Sequence, residues 1–315
     1  MGAKSADSGG GKARGLLIVT VAYVLALAAA WLAGDWYAGI RALDMPDAST
    51  LLVADVAGTL VIFAFSALYS NSSFYDPYWS VMPMAAAAWL WWHPAAGAMA
   101  TDPWSLVLLI LVWAYGFRLT FNWARGWTGL DHEDWRYVDL QKKTGKAYWI
   151  VSFLGIHLFP TLLTYLGSLP MLPAFGANID AGLGLAGGPS TLWLAIPGAL
   201  VLLAGIVMEA TADQQLHNFR KTNTDPTRIL DTGIWRYSRH PNYFGENCVW
   251  WGIAFFGAAA LPSSIWNWVG AIAITCLFVF ISIPMIDERM RTRRPAYAER
   301  QRRVSAFIPM PPKEV

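Results

Sequence analysis

The chain has little charge, few histidines and almost no cysteine. Only 14% of its 315 residues are charged and 56% are hydrophobic, which excludes a soluble globular domain of this length. Cys248 and Cys276 are the two cysteines, and both lie inside apolar segments, so no disulfide framework is expected. The five histidines are scattered without the spacing of a metal site. We therefore expect no metal, and we expect no nucleic-acid partner.

Long apolar runs make up most of the chain. A helix needs about 20 apolar residues to cross a bilayer. Eight segments are candidates: 15–34, 49–69, 78–98, 103–121, 147–167, 190–211, 246–261 and 264–285. The third segment is interrupted by Pro83 and by His93-Pro94, and the seventh is short. The sequence predicts an all-α, polytopic membrane helical bundle.

The basic residues are distributed unevenly between the two sides of the predicted bundle. Lys and Arg in short loops favour the cytoplasmic side of a membrane. If the N-terminus is cytoplasmic, then of the 23 Lys and Arg residues Arg41 is alone on the opposite side and Arg118 lies within a span. This asymmetry predicts an even number of spans with both termini in the cytoplasm. We expect contact with membrane lipids and a monomeric protein.

Polar side chains gather toward the predicted cytoplasmic side. Two groups recur at helical spacing, namely Tyr115, Arg118, Asn122 and Arg125, and Glu209, Asp213, His217 and Arg220. Asp76 lies in a short loop between the second and third spans. Together they could line a site for a polar ligand. Each also has a simpler interpretation: Arg118 snorkels to the interface, the Glu209 group is a solvated helix end, and Asp76 caps the third helix. For Asp55, deep in the second span, a satisfied core carboxyl and a cavity group both stay open.

The densest cluster of ionisable and ring side chains is the segment 234–246, which reads IWRYSRHPNYFGE and lies between two apolar blocks. Ionisable groups close to hydrocarbon are costly, so they indicate a functional site. The alternative, a basic loop resting on lipid headgroups, explains Arg236 and Arg239 but not Asn242 and Glu246. The segment therefore predicts an active site at the membrane boundary.

These motifs resemble the membrane-bound steroid 5α-reductase family (3-oxo-5α-steroid 4-dehydrogenase), in particular its bacterial branch. The matching residues are Glu209-x3-Asp213-x6-Arg220-Lys221, then Arg228, Gly233, Tyr237, Asn242, Tyr243, Gly245 and Glu246, together with the Asp76-Pro-Tyr-Trp-Ser80 and Tyr115-x2-Arg118 segments. The resemblance covers about residues 49–310 and implies a seven-helix reductase core. It leaves residues 1–14 as a disordered cytoplasmic N-terminus, 15–48 as an extra transmembrane helix with its linker, and 311–315 as a tail.

The resemblance implies NADPH-dependent reduction of the C4–C5 double bond of a 3-oxo-4-ene steroid or similar apolar enone that enters from the bilayer. Hydride would go to C5, while Asp76 and Tyr115 polarise the 3-keto oxygen. The implied cofactor-binding residues are Arg118, Asp213, Arg220, Arg228, Tyr237, Asn242 and Glu246, with Tyr297 as a further candidate. It also implies a bacterial inner-membrane location. Guanidinium groups suit phosphate, and Arg236 and Arg239 would add to this charge.

The chain departs from the pattern of the human steroid enzymes at three positions. Asp76 replaces a Glu, Glu209 an Asn and His217 an Arg. A rival interpretation is a membrane methyltransferase of the isoprenylcysteine or phospholipid type, because those enzymes carry a similar Arg-His-Pro-x-Tyr-x-Gly segment and bind S-adenosylmethionine there. A lipid transporter without catalytic activity is a third interpretation. Asp76 together with Tyr115 favours the reductase.

Overall fold

The computed structural model describes residues 8–93, 103–176 and 192–314, and within these ranges the regular elements are helices. This confirms the predicted all-α, polytopic membrane bundle. The chain divides into two compact units, residues 1–188 and residues 189–315. The boundary falls inside the segment 49–310 that the sequence suggested as one domain.

The first unit contains eight α-helices in its described part. They are α1 (Ser8–Ile40), α2 (Ala48–Leu68), α3 (Tyr78–Trp92), α4 (Pro103–Gly126), α5 (Trp135–Thr144), α6 (Tyr148–Ser152), α7 (Phe159–Ser168) and α8 (Met171–Ala174). The described part of the second unit contains α9 (Ala195–Thr222), α10 (Pro241–Ala260), α11 (Trp266–Leu277), α12 (Ile283–Arg293) and α13 (Tyr297–Arg303).

Six helical segments of the described chain, not eight, are long and apolar enough to cross a membrane. Two of them are composite, because π-helical turns join α6 to α7 and α11 to α12. The predicted third span fails because α3 has 15 residues, which is about 22 Å of helix; the rest of that prediction, 94–98, lies outside the described residues. The predicted seventh span corresponds to α10, whose 20 residues include polar Asn242, Glu246 and Asn247.

Several helices extend beyond the predicted apolar runs. Helix α1 begins at Ser8, inside the segment 1–14 that was expected to be disordered. Helix α4 continues to Gly126 and α9 to Thr222, so each of the two polar groups found at helical spacing lies on one uninterrupted helix. The structure thereby confirms the helical placement of both groups.

Small side chains allow the helices of unit 1 to approach closely. Ala22, Ala26 and Ala30 are buried at every fourth position of α1, and α1 packs extensively on α2. On α4, a Cβ at Gly116 would lie 2.8 Å from the carbonyl oxygen of Ser80 on α3. Close packing of this kind is typical of helices within membranes, where lipid supplies no hydrophobic driving force between them.

In unit 2 the closest helix pair is α9 with α10, and glycines make the contact possible. A Cβ on Gly205 would come within 2.6 Å of the Gly245 carbonyl oxygen, and one on Gly252 within 2.5 Å of the Leu202 Cβ. The backbones therefore nearly touch. This contact buries Glu209 of α9 and Glu246 of α10, which are only 4% and 5% exposed.

Candidate functional site

In unit 1, Asp76 follows the short 3₁₀ turn Ser72–Tyr75 and accepts a hydrogen bond from a phenol. The donor is Tyr137 of α5, whose hydroxyl lies 2.8 Å from the Asp76 Oδ1. Asp76 does not cap α3, because the N-cap residue is Pro77 and it makes no side-chain cap bond. The capping interpretation of Asp76 is therefore wrong.

Burial raises the pKa of Asp76 to about 6, and the opposing influence of Arg136 and of the Tyr137 hydrogen bond is smaller. Removing a carboxylate from water disfavours its charged form. A carboxyl group with this pKa is partly protonated near neutral pH, so it can donate a hydrogen bond as well as accept one.

The phenol that the sequence paired with Asp76, Tyr115, lies on α4 and is fully buried. Arg118 follows one turn later and is half-buried. At the end of this helix the guanidinium of Arg125 donates to the Asn122 Oδ1 at 2.8 Å, and Lys12 of α1 donates to the Arg125 carbonyl oxygen at 3.2 Å. Asn122 and Arg125, the last two residues of this polar group, are thus engaged in hydrogen bonds within unit 1.

A second carboxyl–phenol pair lies deeper in unit 1. Tyr78 of α3 donates its hydroxyl proton to Asp55 of α2, at 2.8 Å from the Oδ1 and 2.6 Å from the carbonyl oxygen. Thr59 and Thr161 extend this buried network toward Tyr75 through hydroxyl contacts of 2.7 to 2.9 Å. Asp55 also lines a cavity of about 610 Å³. It is therefore both a hydrogen-bonded core carboxyl and a residue of a cavity wall, the two interpretations that the sequence left open.

In unit 2 the segment 234–246 is anchored by one buried carboxylate, Asp287 of α12. It accepts from the Arg239 Nη2 at 2.6 Å, from the His240 Nε2 at 2.9 Å and from the Tyr297 hydroxyl. Arg239 also donates to the carbonyl oxygen of Val304 at 2.6 Å. Arg239 and Tyr297 are therefore structural anchors of this loop, and their contact with a cofactor stays a prediction.

The loop that precedes α10 is held on α9 by further bonds. The Trp235 Nε1 donates to the Ala212 carbonyl oxygen at 3.0 Å, and the Ile234 amide donates to the Gln215 side chain at 3.1 Å. Gly233 enters this turn with a φ of +61°, in the left-handed region that favours glycine. The start of the loop is consequently bonded to α9 and its end to Asp287, before Pro241 starts α10.

Basic side chains surround the end of α9. Arg220 interacts electrostatically with Asp213, one of the predicted cofactor residues, and with Arg294 from the end of α12. Arg294 in turn donates to the Pro226 carbonyl oxygen at 3.1 Å, and Arg228 lies over the Phe219 ring at 5.7 Å. We call Arg220, Arg228 and Arg294 the basic patch. Two like charges held within electrostatic range are stabilised by an anion between them.

The remaining predicted cofactor residues lie at the start of α10 or just before it. Tyr237 is 42% exposed, Asn242 is half-buried and Glu246 is buried. The Glu246 Oε1 accepts from the Trp250 indole nitrogen at 2.8 Å, one helical turn along α10. Tyr237 and Asn242 are therefore the more accessible members of this group.

Comparison with known proteins places the chain in a family. A family model described as a protein of unknown function (DUF1295) matches residues 62–304. The chain belongs to the DUF1295 family. It is similar to an uncharacterized protein of Schizosaccharomyces pombe, with 26% identity over 280 residues that cover 82% of this chain and 78% of the yeast protein. No solved structure matches it.

The DUF1295 match includes the catalytic and cofactor-binding residues predicted from the sequence, from Asp76 to Glu246. It begins within α2, so α1 and Asp55 precede it. Neither description names a reaction.

Sequence reasoning missed Tyr137, Asp287 and Arg294. Asp287 had a usable signal, because it and Glu288 are acids at the end of an apolar span in an otherwise basic region. Tyr137 and Arg294 had none, since each meets its partner through long-range packing, across 61 residues from Asp76 and 68 residues from Pro226.

Proposed function

We propose that this DUF1295 protein is an NADPH-dependent reductase of an apolar enone, of the 3-oxo-4-ene steroid type. The observation that carries the proposal is the basic patch, in which Arg220 and Arg294 lie within electrostatic range of each other despite their like charge. A phosphate group between them would relieve this repulsion. Asp76 with its phenol contact supports the second half of the proposal, the polarisation of a carbonyl oxygen.

The residues present fit the cofactor. Arg220 and Arg228 are exposed, and guanidinium groups can form two parallel hydrogen bonds to a phosphate. Tyr237 and Asn242 are accessible near the start of α10 and can bind the remaining polar groups of a nucleotide. When bound, NADPH would supply the hydride that adds to the β-carbon (C5) of the enone.

In unit 1 the role of Asp76 is to stabilise the negative charge that develops on the carbonyl oxygen. Burial favours its protonated form, which can donate a hydrogen bond to that oxygen. Tyr137 donates a hydrogen bond to this carboxyl group. Tyr115 is the other phenol proposed to act with Asp76 on the carbonyl oxygen. A proton from water then adds to the α-carbon (C4), which completes the saturated ketone.

The cofactor class can be tested by thermal unfolding of the purified protein in detergent. NADPH should raise the unfolding temperature, because a ligand that binds only the folded state stabilises it by RT ln(1 + [L]/Kd). S-adenosylmethionine is the matched comparison. Stabilisation by S-adenosylmethionine alone would replace the reductase by the methyltransferase, and stabilisation by neither would remove both.

The phenol can be assigned by single-turnover reduction of progesterone in nanodiscs. We expect Tyr115→Phe or Tyr137→Phe to lower the rate about 100-fold, the usual effect of losing one preorganised donor, and to leave NADPH affinity nearly unchanged. A loss confined to Tyr137→Phe would move the phenol role from α4 to α5. Wild-type rates in both variants would contradict the proposed carbonyl site.

We also propose that both termini face the cytoplasm of a bacterial cell, in its inner membrane. The support is the basic residues of the loops and of the C-terminal region, where α12 and α13 carry six arginines. Fusions of a reporter that is active only in the periplasm should be inactive at either terminus. Activity at one terminus and not the other would require an odd number of spans.

A further inference from the structure

Residues 304–313 of unit 2 run alongside the loop that precedes α10 and are hydrogen-bonded to it. The Arg239 amide donates to the Ser305 carbonyl oxygen at 2.9 Å, and the Met310 amide donates to the Tyr237 carbonyl oxygen at 2.9 Å. These bonds join the backbones of the two segments at two separate points. We call residues 304–313 the strap.

Prolines exclude a helix from the strap. From residue 307 the sequence reads FIPMPPK, and a residue that precedes a proline favours extended conformations, in which alternate side chains point to opposite sides. Burial alternates accordingly: Phe307 and Pro309 are half-buried, whereas Ile308 and Met310 are 57% and 55% exposed. One side of the strap therefore packs on the protein, and the other side presents two large apolar side chains.

The packed side of the strap reaches the membrane-spanning part of unit 2. The centre of the Phe307 ring lies 5.5 Å from that of Phe244 on α10 and 6.5 Å from that of Phe278. Phe278 belongs to the composite span formed by α11 and α12, and Phe280 of the same span is 73% exposed. Exposed apolar side chains of a membrane-spanning helix contact lipid, which is as apolar as they are. The strap therefore lies beside a lipid-facing surface.

Exposed cations lie at both ends of the strap. The Lys313 amide donates to the Arg303 carbonyl oxygen at 2.9 Å, so the two ends come together. The side chains of Arg302, Arg303 and Lys313 are exposed, and we call them the strap cations. Glu299 lies 3.8 Å from Arg303, an exposed contact that water screens and that offsets only part of this charge. Apolar side chains next to cations match an anionic lipid surface, whose acyl chains and headgroups complement the two.

We propose that the strap binds anionic phospholipid, with the strap cations on the headgroups and with Ile308 and Met310 among the acyl chains. Because the backbone of the strap is bonded to the loop that precedes α10, lipid binding stabilises that loop as well. The loop carries Tyr237, so the composition of the membrane determines how firmly this exposed residue is held. The proposal is independent of the reductase function, since it holds whichever ligand unit 2 binds.

Lipid binding can be measured by hydrogen–deuterium exchange of the full chain in nanodiscs, without NADPH. The informative amides are those of Arg239 and Met310, whose hydrogen bonds join the loop and the strap. Nanodiscs of phosphatidylcholine alone are compared with nanodiscs that also contain phosphatidylglycerol. We expect the anionic lipid to slow the exchange of both amides about 10-fold, because a ligand that binds only the closed strap makes its opening rarer.

Charge variants assign the headgroup contact. Arg302→Gln combined with Arg303→Gln should remove most of the slowing by phosphatidylglycerol and should leave the exchange in phosphatidylcholine as in wild type. The matched control is Arg291→Gln combined with Arg293→Gln, which removes the same charge from exposed positions of α12. This control should keep the slowing.

Apolar variants assign the acyl-chain contact. Ile308→Ser should speed the exchange of both amides about 10-fold in either kind of nanodisc, because an apolar side chain that leaves the acyl chains loses its transfer free energy. Ile308→Leu keeps the apolar area and should exchange like wild type. Ile308 is more than half exposed in the protein itself, so a large difference between Ser and Leu at this position indicates a contact outside the chain.

Equal exchange in the two kinds of nanodisc would overturn the proposal. So would a slowing that the α12 control loses as fully as the strap variant, because charge anywhere on this surface would then suffice. Inorganic phosphate added to phosphatidylcholine nanodiscs is a further arm, and slowing by phosphate alone would assign the strap cations to a free anion. Slowing that grows with the number of protein molecules per nanodisc would instead assign Ile308 and Met310 to a second copy of the chain.

Discussion

Replacing Asp76 by Asn should change how the stability of the protein depends on pH. Burial raises the pKa of Asp76 from 3.8 to about 6, so the folded state holds a proton on this carboxyl that the unfolded state has already released. Where the folded state binds more protons, stability falls as pH rises. The contribution of Asp76 is therefore intact below about pH 4 and is lost by about pH 6.

The size of this effect follows from the pKa difference. The pKa of Asp76 differs by about 2 between the folded and the unfolded state. Since a pKa difference of 1 corresponds to about 1.36 kcal/mol, the free energy of unfolding changes by at most about 3 kcal/mol. Partial exposure of Asp76 to solvent makes the real effect smaller. The Asn side chain stays neutral, so Asp76→Asn should match wild type near pH 4 and be the more stable protein at pH 7.

The assay is thermal unfolding in detergent from pH 4 to pH 7, with Asp44→Asn as the control that removes an exposed acid. Tyr137→Phe should shift the wild-type transition to higher pH, because the Tyr137 hydrogen bond lowers the pKa of Asp76. A stability difference between wild type and Asp76→Asn that is the same at every pH would refute the reasoning, since it would mean that Asp76 does not titrate in this range.

Three further changes test unit 2. Arg294→Gln should weaken NADPH more than NADH, by about 10-fold, if the basic patch holds the 2′-phosphate; equal losses in titrations of both cofactors would assign this arginine to the pyrophosphate. Gly205→Ala should destabilise the α9–α10 contact by about 1–3 kcal/mol in thermal unfolding, whereas Gly155→Ala, which meets no atom within 4 Å, should not destabilise. Asp287→Asn should lower the free energy of unfolding by about 3 kcal/mol or more, because it leaves the buried Arg239 guanidinium without its counter-charge. Unchanged stability would show that backbone carbonyls suffice to hold that arginine.

The sequence by itself determined the class of protein and the course of its helices. Apolar runs and helical spacing are local properties, so they identified the bundle and the polar groups on α4 and α9, which the structure places on continuous helices. Within the described residues they overestimated the number of spans, because α3 and α10 are apolar but α3 is short and α10 carries polar residues that unit 2 buries.

Tertiary structure alone decided which side chains meet. Arg239 and Arg220 look alike in the sequence, but packing commits the first to Asp287 and leaves the second beside Arg294. The contact of Asp76 with Tyr137 and the cavity at Asp55 likewise depend on segments far apart in the chain. No periodicity records such contacts, because burial, hydrogen-bond partners and empty space are set by the packing of whole helices and not by the order of residues along one of them.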